Sequence, residues 1–441
     1  MHRRTDKPAA GAADPAPSPS ALRLRSTFWR SFGPGLLWAG ASIGVSHLVQ
    51  STRAGALAGF GLAGFILLAL VLKYPFFEFG PRYAAATGQS LVEGYRRIGV
   101  WALWLYLFIT LATSLIVQVA VVMFTAYLLN IAFGIHLPLA LTGGAICLAA
   151  VLMLWLGRYR MLDASMKVVM ALLAVSTLVA AVATLPSADL TTFDPLPRFD
   201  PSIVELGFLL ALMGWMPTAI DLSVWSSLWT LAKDRSEGSR SSVASARLDF
   251  NIGYIGTGIL AFAFLALGAT VMHGAGIAFD ASGPLFAGQL LDLYAKTLGD
   301  WARPVVLVAL LTTMVSTSIT VIDGFPRAID RSIQVLRQAQ PGPIDDIGRT
   351  YWIALILLAV LTVIVLQRFL GNLTSMVDFA ATLSFITAPI LGYLNLRAVT
   401  SDEMPLQDRP GRAMMLFSYV GLVLLTAFAG FYLTSRLFWT P

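Results

Sequence analysis

One cysteine, Cys147, stands in a chain of 441 residues. It lies in an apolar stretch, so no intrachain disulfide can form and redox chemistry built on paired thiols is excluded. Charge is scarce too: Asp, Glu, Lys and Arg make up 12% of the residues, about half the share of a soluble domain. None of the four histidines belongs to a His-Glu-x-x-His pair, and no nucleophile stands beside a base, so an enzyme is not indicated. The glycine-rich run Gly253-Tyr254-Ile255-Gly256-Thr257-Gly258 lacks the strand a phosphate loop requires and reads as close helix packing. No basic patch accompanies the net charge of +6. Basic residues scattered over short loops signal membrane topology rather than nucleic acid.

What is present is apolar: 57% of the chain is hydrophobic, an integral membrane composition. Spans need about 20 apolar residues. Eleven are read, near 33–57, 62–86, 100–130, 138–157, 162–185, 203–231, 250–272, 301–322, 351–367, 372–396 and 413–435. Most Lys and Arg fall on the side holding the N-terminus, including Arg96, Arg97, Arg158, Arg160, Lys233, Arg327 and Arg412. That side is therefore expected to be cytoplasmic, in a bacterial inner membrane, and the odd number of spans puts the C-terminus outside. Residues 1–26, rich in Ala, Pro and Ser, are expected to form a disordered tail, with 27–441 a single transmembrane domain.

Two spans carry breaks. The first contains Gly44-Val45-Ser46-His47 and the sixth Met213-Gly214-Trp215-Met216-Pro217. Backbone at membrane depth leaves the helix only where protein or a cavity receives it, and paired breaks in two halves of a chain point to a transport site near the midplane. Gly44, Ser46, His47, Met213, Met216 and Thr218 are thus candidate substrate-binding residues. Asp221, five positions beyond Met216, joins them as counter-ion to a cationic substrate or carrier of a coupled proton, with a structural pair to Arg53 as the alternative. His47 could bind substrate or a metal with Met216, carry a proton, or merely cap free backbone groups. Asp378 in the tenth span and Arg53 are candidate outer gates. Lys73 and Glu78 are expected to pair internally near the cytoplasmic end of the second span.

The sequence resembles the Nramp divalent-metal transporters in several colinear segments. These are Gly33-Pro34-Gly35 followed by Arg53-Ala54-Gly55, then Ala86-Thr87-Gly88-Gln89, Leu129-Asn130 with Phe133-Gly134, and Met216-Pro217. The resemblance implies an all-α LeuT-type fold with a five-plus-five inverted repeat. Repeat one would be 33–185, repeat two 203–396 and the peripheral helix 413–435, with helices one and six unwound at the midplane.

The family's metal ligands are largely replaced. Where it carries Asp-Pro-Gly-Asn at the first break, this chain has Gly44-Val45-Ser46-His47, and Thr218 stands for the histidine after Met-Pro. Gln118, a further substrate-binding candidate, and Val121 stand where its third helix carries two acids. Losing these oxygen ligands disfavours Mn2+ or Fe2+. The expected function is therefore a secondary transporter, a symporter moving a small organic solute by alternating access, without a cofactor. Its coupling ion would be H+ on Asp221 or His47, or Na+ at Ser316, Thr317 and Thr320, hydroxyls that resemble the sodium site of the superfamily. Two alternatives stay open: a transition-metal transporter using His47 and Met216, and an uncoupled facilitator or transporter-like sensor.

Overall fold

A computed structural model describes residues 34–156, 159–189, 191, 193, 204–337, 347–368 and 372–438. The expected tail 1–26 lies outside them. Among the described residues there are fifteen α-helices and no strand beyond one isolated bridge, Ser282 with Asn372.

Helix α1 (Pro34–Ser42) is followed by a π-helical turn (Ser46–Ser51) and α2 (Thr52–Ala58). Then come α3 (Ala63–Thr87), the short α4 (Leu91–Ile98), α5 (Val100–Phe133), α6 (Leu139–Trp155) and α7 (Tyr159–Thr184). The second half has α8 (Leu206–Trp215), α9 (Leu222–Glu237), α10 (Val243–Leu267), which continues as a π turn to Met272, and α11 (Gly283–Leu298). It ends with α12 (Ala302–Arg337), α13 (Arg349–Arg368), α14 (Leu373–Val399) and α15 (Arg412–Phe438).

Among the described residues, seven helices are long and apolar enough to cross a membrane: α3, α5, α10 with its π extension, α12, α13, α14 and α15. Each coincides with a span read from the sequence. Segments 138–157 and 162–185 contain shorter apolar stretches, Leu139–Trp155 and Ala171–Thr184. The segments at 33–57 and 203–231 are each divided between two helices. Only 22% of the apolar window of α15 is buried, against 72% for α5, so α15 lies at the periphery while α5 runs through the core.

Small residues bring α1 against α10. A Cβ on Gly253 would lie 2.3 Å from the Gly35 carbonyl oxygen, so a side chain there would force these backbones apart. Beside this contact the Gly35 amide donates to the Asp249 carboxylate at 2.7 Å. The Trp38 ring packs on Phe77, Phe250 and Tyr254. The first half of span one is thereby fixed to α3 and α10 before the chain reaches its break. Next to Phe77 on α3, Glu78 takes both Arg82 and Arg247, and α4 begins with a capping box of Ser90 and Glu93 held by Arg331.

Candidate functional site

Gly44 is where the first segment leaves the helix. The Ser42 hydroxyl donates to the Trp38 carbonyl and the Ser46 hydroxyl to the Ser42 carbonyl, both at 2.8 Å; such bonds one turn back bend helices. A Cβ on Gly44 would meet Thr317 of α12 at 3.1 Å. The threonine thus fills the space that a longer residue at position 44 would enter.

His47 turns away from this opening. Its Nε2 lies 2.9 Å from the Thr257 carbonyl oxygen and its Nδ1 2.8 Å from the Ser46 hydroxyl. A carbonyl only accepts, so Nε2 carries a hydrogen and donates it. The ring is fully buried and ties the break to α10. The backbone group it satisfies belongs to α10 rather than to the interrupted segment.

The second break runs from Met216 to Asp221, between α8 and α9, and includes a cis peptide at Met216-Pro217. A helix ending at Trp215 leaves carbonyls without intrahelical partners. Lys73 answers them: its ammonium donates to Met213 O at 3.0 Å, Gly214 O at 2.7 Å and Thr218 O at 3.0 Å. This corrects the expectation of a lysine paired beside Glu78. The apolar stem of Lys73 on α3 reaches the break, and the carbonyl dipoles at the end of α8 attract its charge. Alongside, the Trp215 indole donates to Ser384 on α14 at 2.9 Å, and Met216 Sδ lies 4.0 Å from the Ser51 hydroxyl.

Between the two breaks lies a cavity of about 40 Å³, room for about three water molecules. Span one contributes Ser42, Gly44 and Ser46; span six contributes Trp215, Thr218, Asp221 and Trp225. Val117 and Val121 on α5 and Thr317 and Phe325 on α12 complete the lining. Asp221 is 2% exposed, and its Oδ1 has no hydrogen-bond partner among the described residues. Of the sequence candidates, Gly44, Ser46, Thr218, Asp221 and Thr317 meet here. His47, Met213, Met216, Gln118, Ser316 and Thr320 do not line it. Gln118 is buried with its Oε1 unpartnered. Thr317 and Thr320 donate to Thr313 O and Ser316 O of their own helix.

Arg53 and Asp378 form a two-toothed ion pair, 2.7 Å between Nη1 and Oδ1 and 3.2 Å between Nη2 and Oδ2. Gln50 donates to the same carboxylate, and the Arg53 guanidinium lies 4.6 Å from the centre of the Phe208 ring. The pairing of Arg53 with Asp221 entertained from the sequence is therefore not the one formed. Sequence reasoning passed over Trp225, although it follows Asp221 by one helical turn and so shares its face. Lys73 and Phe325 reach the breaks from elements whose neighbours no local pattern reveals.

Residues 35–435 match the family model of the natural resistance-associated macrophage protein-like transporters, Nramp. The chain belongs to the Nramp family. It is an integral membrane transporter. An uncharacterized protein of Pasteurella multocida strain Pm70 is 33% identical over 427 residues, covering 95% of this chain and 96% of that protein. Among solved structures, the Eremococcus coleocola manganese transporter, crystallised with an aromatic bis-isothiourea compound, superposes with a TM-score of 0.67 at 16% identity. That match covers 97% of this chain and 91% of the other. MhsT in complex with L-phenylalanine gives 0.57 at 14%, over 90% and 98% of the two chains. Mhp1, a nucleobase-cation-symport-1 transporter with bromovinylhydantoin bound, gives 0.56 at 13%, over 92% and 93%. At these identities the structural likeness speaks for an Nramp fold of the LeuT kind. No group of three or more His, Cys, Asp or Glu able to hold a metal occurs among the described residues.

Proposed function

We propose that this Nramp member is an ion-coupled secondary transporter of a small solute other than Mn2+ or Fe2+, working by alternating access through the cavity between the two breaks. The observation that carries the reading is the Asp221 carboxylate on the cavity wall, buried with its Oδ1 unpartnered among the described residues. A buried carboxylate without a partner is costly unless it takes up a proton or a cation. Transport uses that cost by letting the group exchange its occupant on each side of the membrane.

In this reading the eleven spans form two inverted five-helix repeats, with helices one and six opened at the midplane and the N-terminus in the cytoplasm. Spans one, two, six and seven move as one body, since Lys73 ties span two to the break in span six and His47 ties the break in span one to span seven. The Arg53–Asp378 pair links that body to the tenth span and acts as the outer gate. Asp221 carries the coupling proton while no solute is bound and releases it when one binds. Na+ at Ser316, Thr317 and Thr320 has less support, since of the three only Thr317 lines the cavity.

Purified protein in liposomes, with an imposed proton gradient and a panel of labelled solutes, tests the proposal. Concentrative uptake that Asp221→Asn abolishes is the expected result. Uptake that only equilibrates would mean a facilitator. Uptake indifferent to Asp221→Asn would place the site elsewhere.

A further inference from the structure

Every hydroxyl from span one that lines the cavity has its single hydrogen engaged. Ser42 gives its hydrogen to Trp38 O, and Ser46 has Ser42 O and His47 Nδ1 to choose between. Across the space Thr317 donates to Thr313 O. What these groups offer a ligand is lone pairs, and Asp221 adds an unpartnered carboxylate oxygen. Apart from the Trp225 indole, whose Nε1 is also unpartnered among the described residues, the wall offers acceptors, and ionised Asp221 gives it negative charge, so it suits an occupant that is positive and brings its own hydrogens. Lys73 does not supply that charge, because its ammonium is held by three carbonyls of the second break.

Much of the remaining wall is aromatic. Trp215 is held by Ser384, and Trp225 packs edge to face on Phe325 with ring centres 4.9 Å apart. Aromatic faces attract cations, and those of an organic kind shed water at lower cost than Na+ or a divalent metal. A hard metal ion would need several anionic or carbonyl ligands in place of its hydration shell, whereas Asp221 is the one acid on this wall among the described residues. Volume sets the last limit. A space for about three waters admits a few heavy atoms and excludes a polyamine or an aromatic amino acid in this conformation.

We infer that the cavity binds a compact organic monocation bearing N–H donors, of the alkylammonium or guanidinium kind, with Asp221 as counter-ion and Trp215, Trp225 and Phe325 as walls. The inference rests on the transporter reading for its purpose and on the cavity alone for its chemistry.

The test is thermal unfolding of the detergent-purified full chain with millimolar methylammonium or guanidinium, against Na+, Mn2+ and the neutral isosteres methanol and urea. At saturation the organic cations are expected to raise the unfolding temperature by about 3 °C, while the isosteres do not. The shift should vanish in Asp221→Asn. It should vanish also in Val121→Trp, which fills the space and leaves the acid in place, so that a misfolded Asp221→Asn cannot mislead. Stabilisation by Mn2+ or Na+ alone, by a neutral isostere, or equally in both variants would overturn the assignment. Concentrative uptake of another solute that needs Asp221, with no monocation effect, would sink the ligand class and spare the transporter. Monocation binding without gradient-driven flux would do the reverse.

Discussion

The Lys73 ammonium lies 2.7 Å from the carbonyl oxygen of Gly214, so the last free carbonyls of α8 are answered by a charge carried in from α3. Membrane depth gives such carbonyls no water to turn to. Lys73→Met keeps the length of the apolar stem and removes the donors. It is expected to lower stability by about 3 kcal/mol, read as a fall in unfolding temperature in detergent. An unchanged temperature would mean that the break holds itself together without the lysine.

Gly44 and Thr317 are matched in size. Gly44→Asp brings a side chain to within 3.1 Å of the threonine methyl and should destabilise the fold. Thr317→Ala clears the space. A double-mutant cycle is expected to give a coupling of about 1 kcal/mol or more in favour of the pair; additive effects would show that position 44 faces elsewhere.

The Arg53–Asp378 pair is partly exposed, with side-chain accessibilities of 13% and 27%, and Gln50 and Phe208 steady the guanidinium. Breaking it with Asp378→Asn should favour the open outer side by about 1 to 2 kcal/mol, roughly 5- to 30-fold in population. The single native cysteine, Cys147, is buried, which makes the measurement clean. A cysteine at Ser42 should react faster with an impermeant maleimide in the Asp378→Asn background, and equal rates would remove these residues from the gate.

His47 has both ring nitrogens engaged and lies off the cavity wall. Its replacement by alanine should therefore reduce stability by about 1 to 3 kcal/mol, with ligand affinity in the surviving folded fraction changed less than by Asp221→Asn. Titration of both variants by binding calorimetry distinguishes the two roles. A larger loss of affinity in His47→Ala would restore the histidine to the site.

The composition and the long apolar runs carried the membrane assignment, since crossing a bilayer is a matter of local length and hydrophobicity. The two breaks were legible for the same reason: Gly44 and Met216-Pro217 interrupt apolar runs at positions any reading of the chain meets. Asp221 was legible as a carboxylate among Ala219, Ile220 and Leu222. The roles of His47 and Lys73 were not, because each is decided by a partner far along the chain. His47 meets Thr257, 210 residues away, and Lys73 meets Gly214, 141 residues away.

The sequence by itself determined that the chain is an Nramp-like membrane protein with two interrupted spans and few family metal ligands. Only the tertiary structure decided that Lys73 caps one break, that His47 braces the other from outside the cavity, that Arg53 chooses Asp378, and that Asp221 Oδ1 is left unpartnered among the described residues beside aromatic walls. The reason is physical. Hydrophobic length acts along the chain and can be read residue by residue, whereas a buried polar atom is satisfied or stranded according to which helix lies opposite, and that is fixed only when the helices pack.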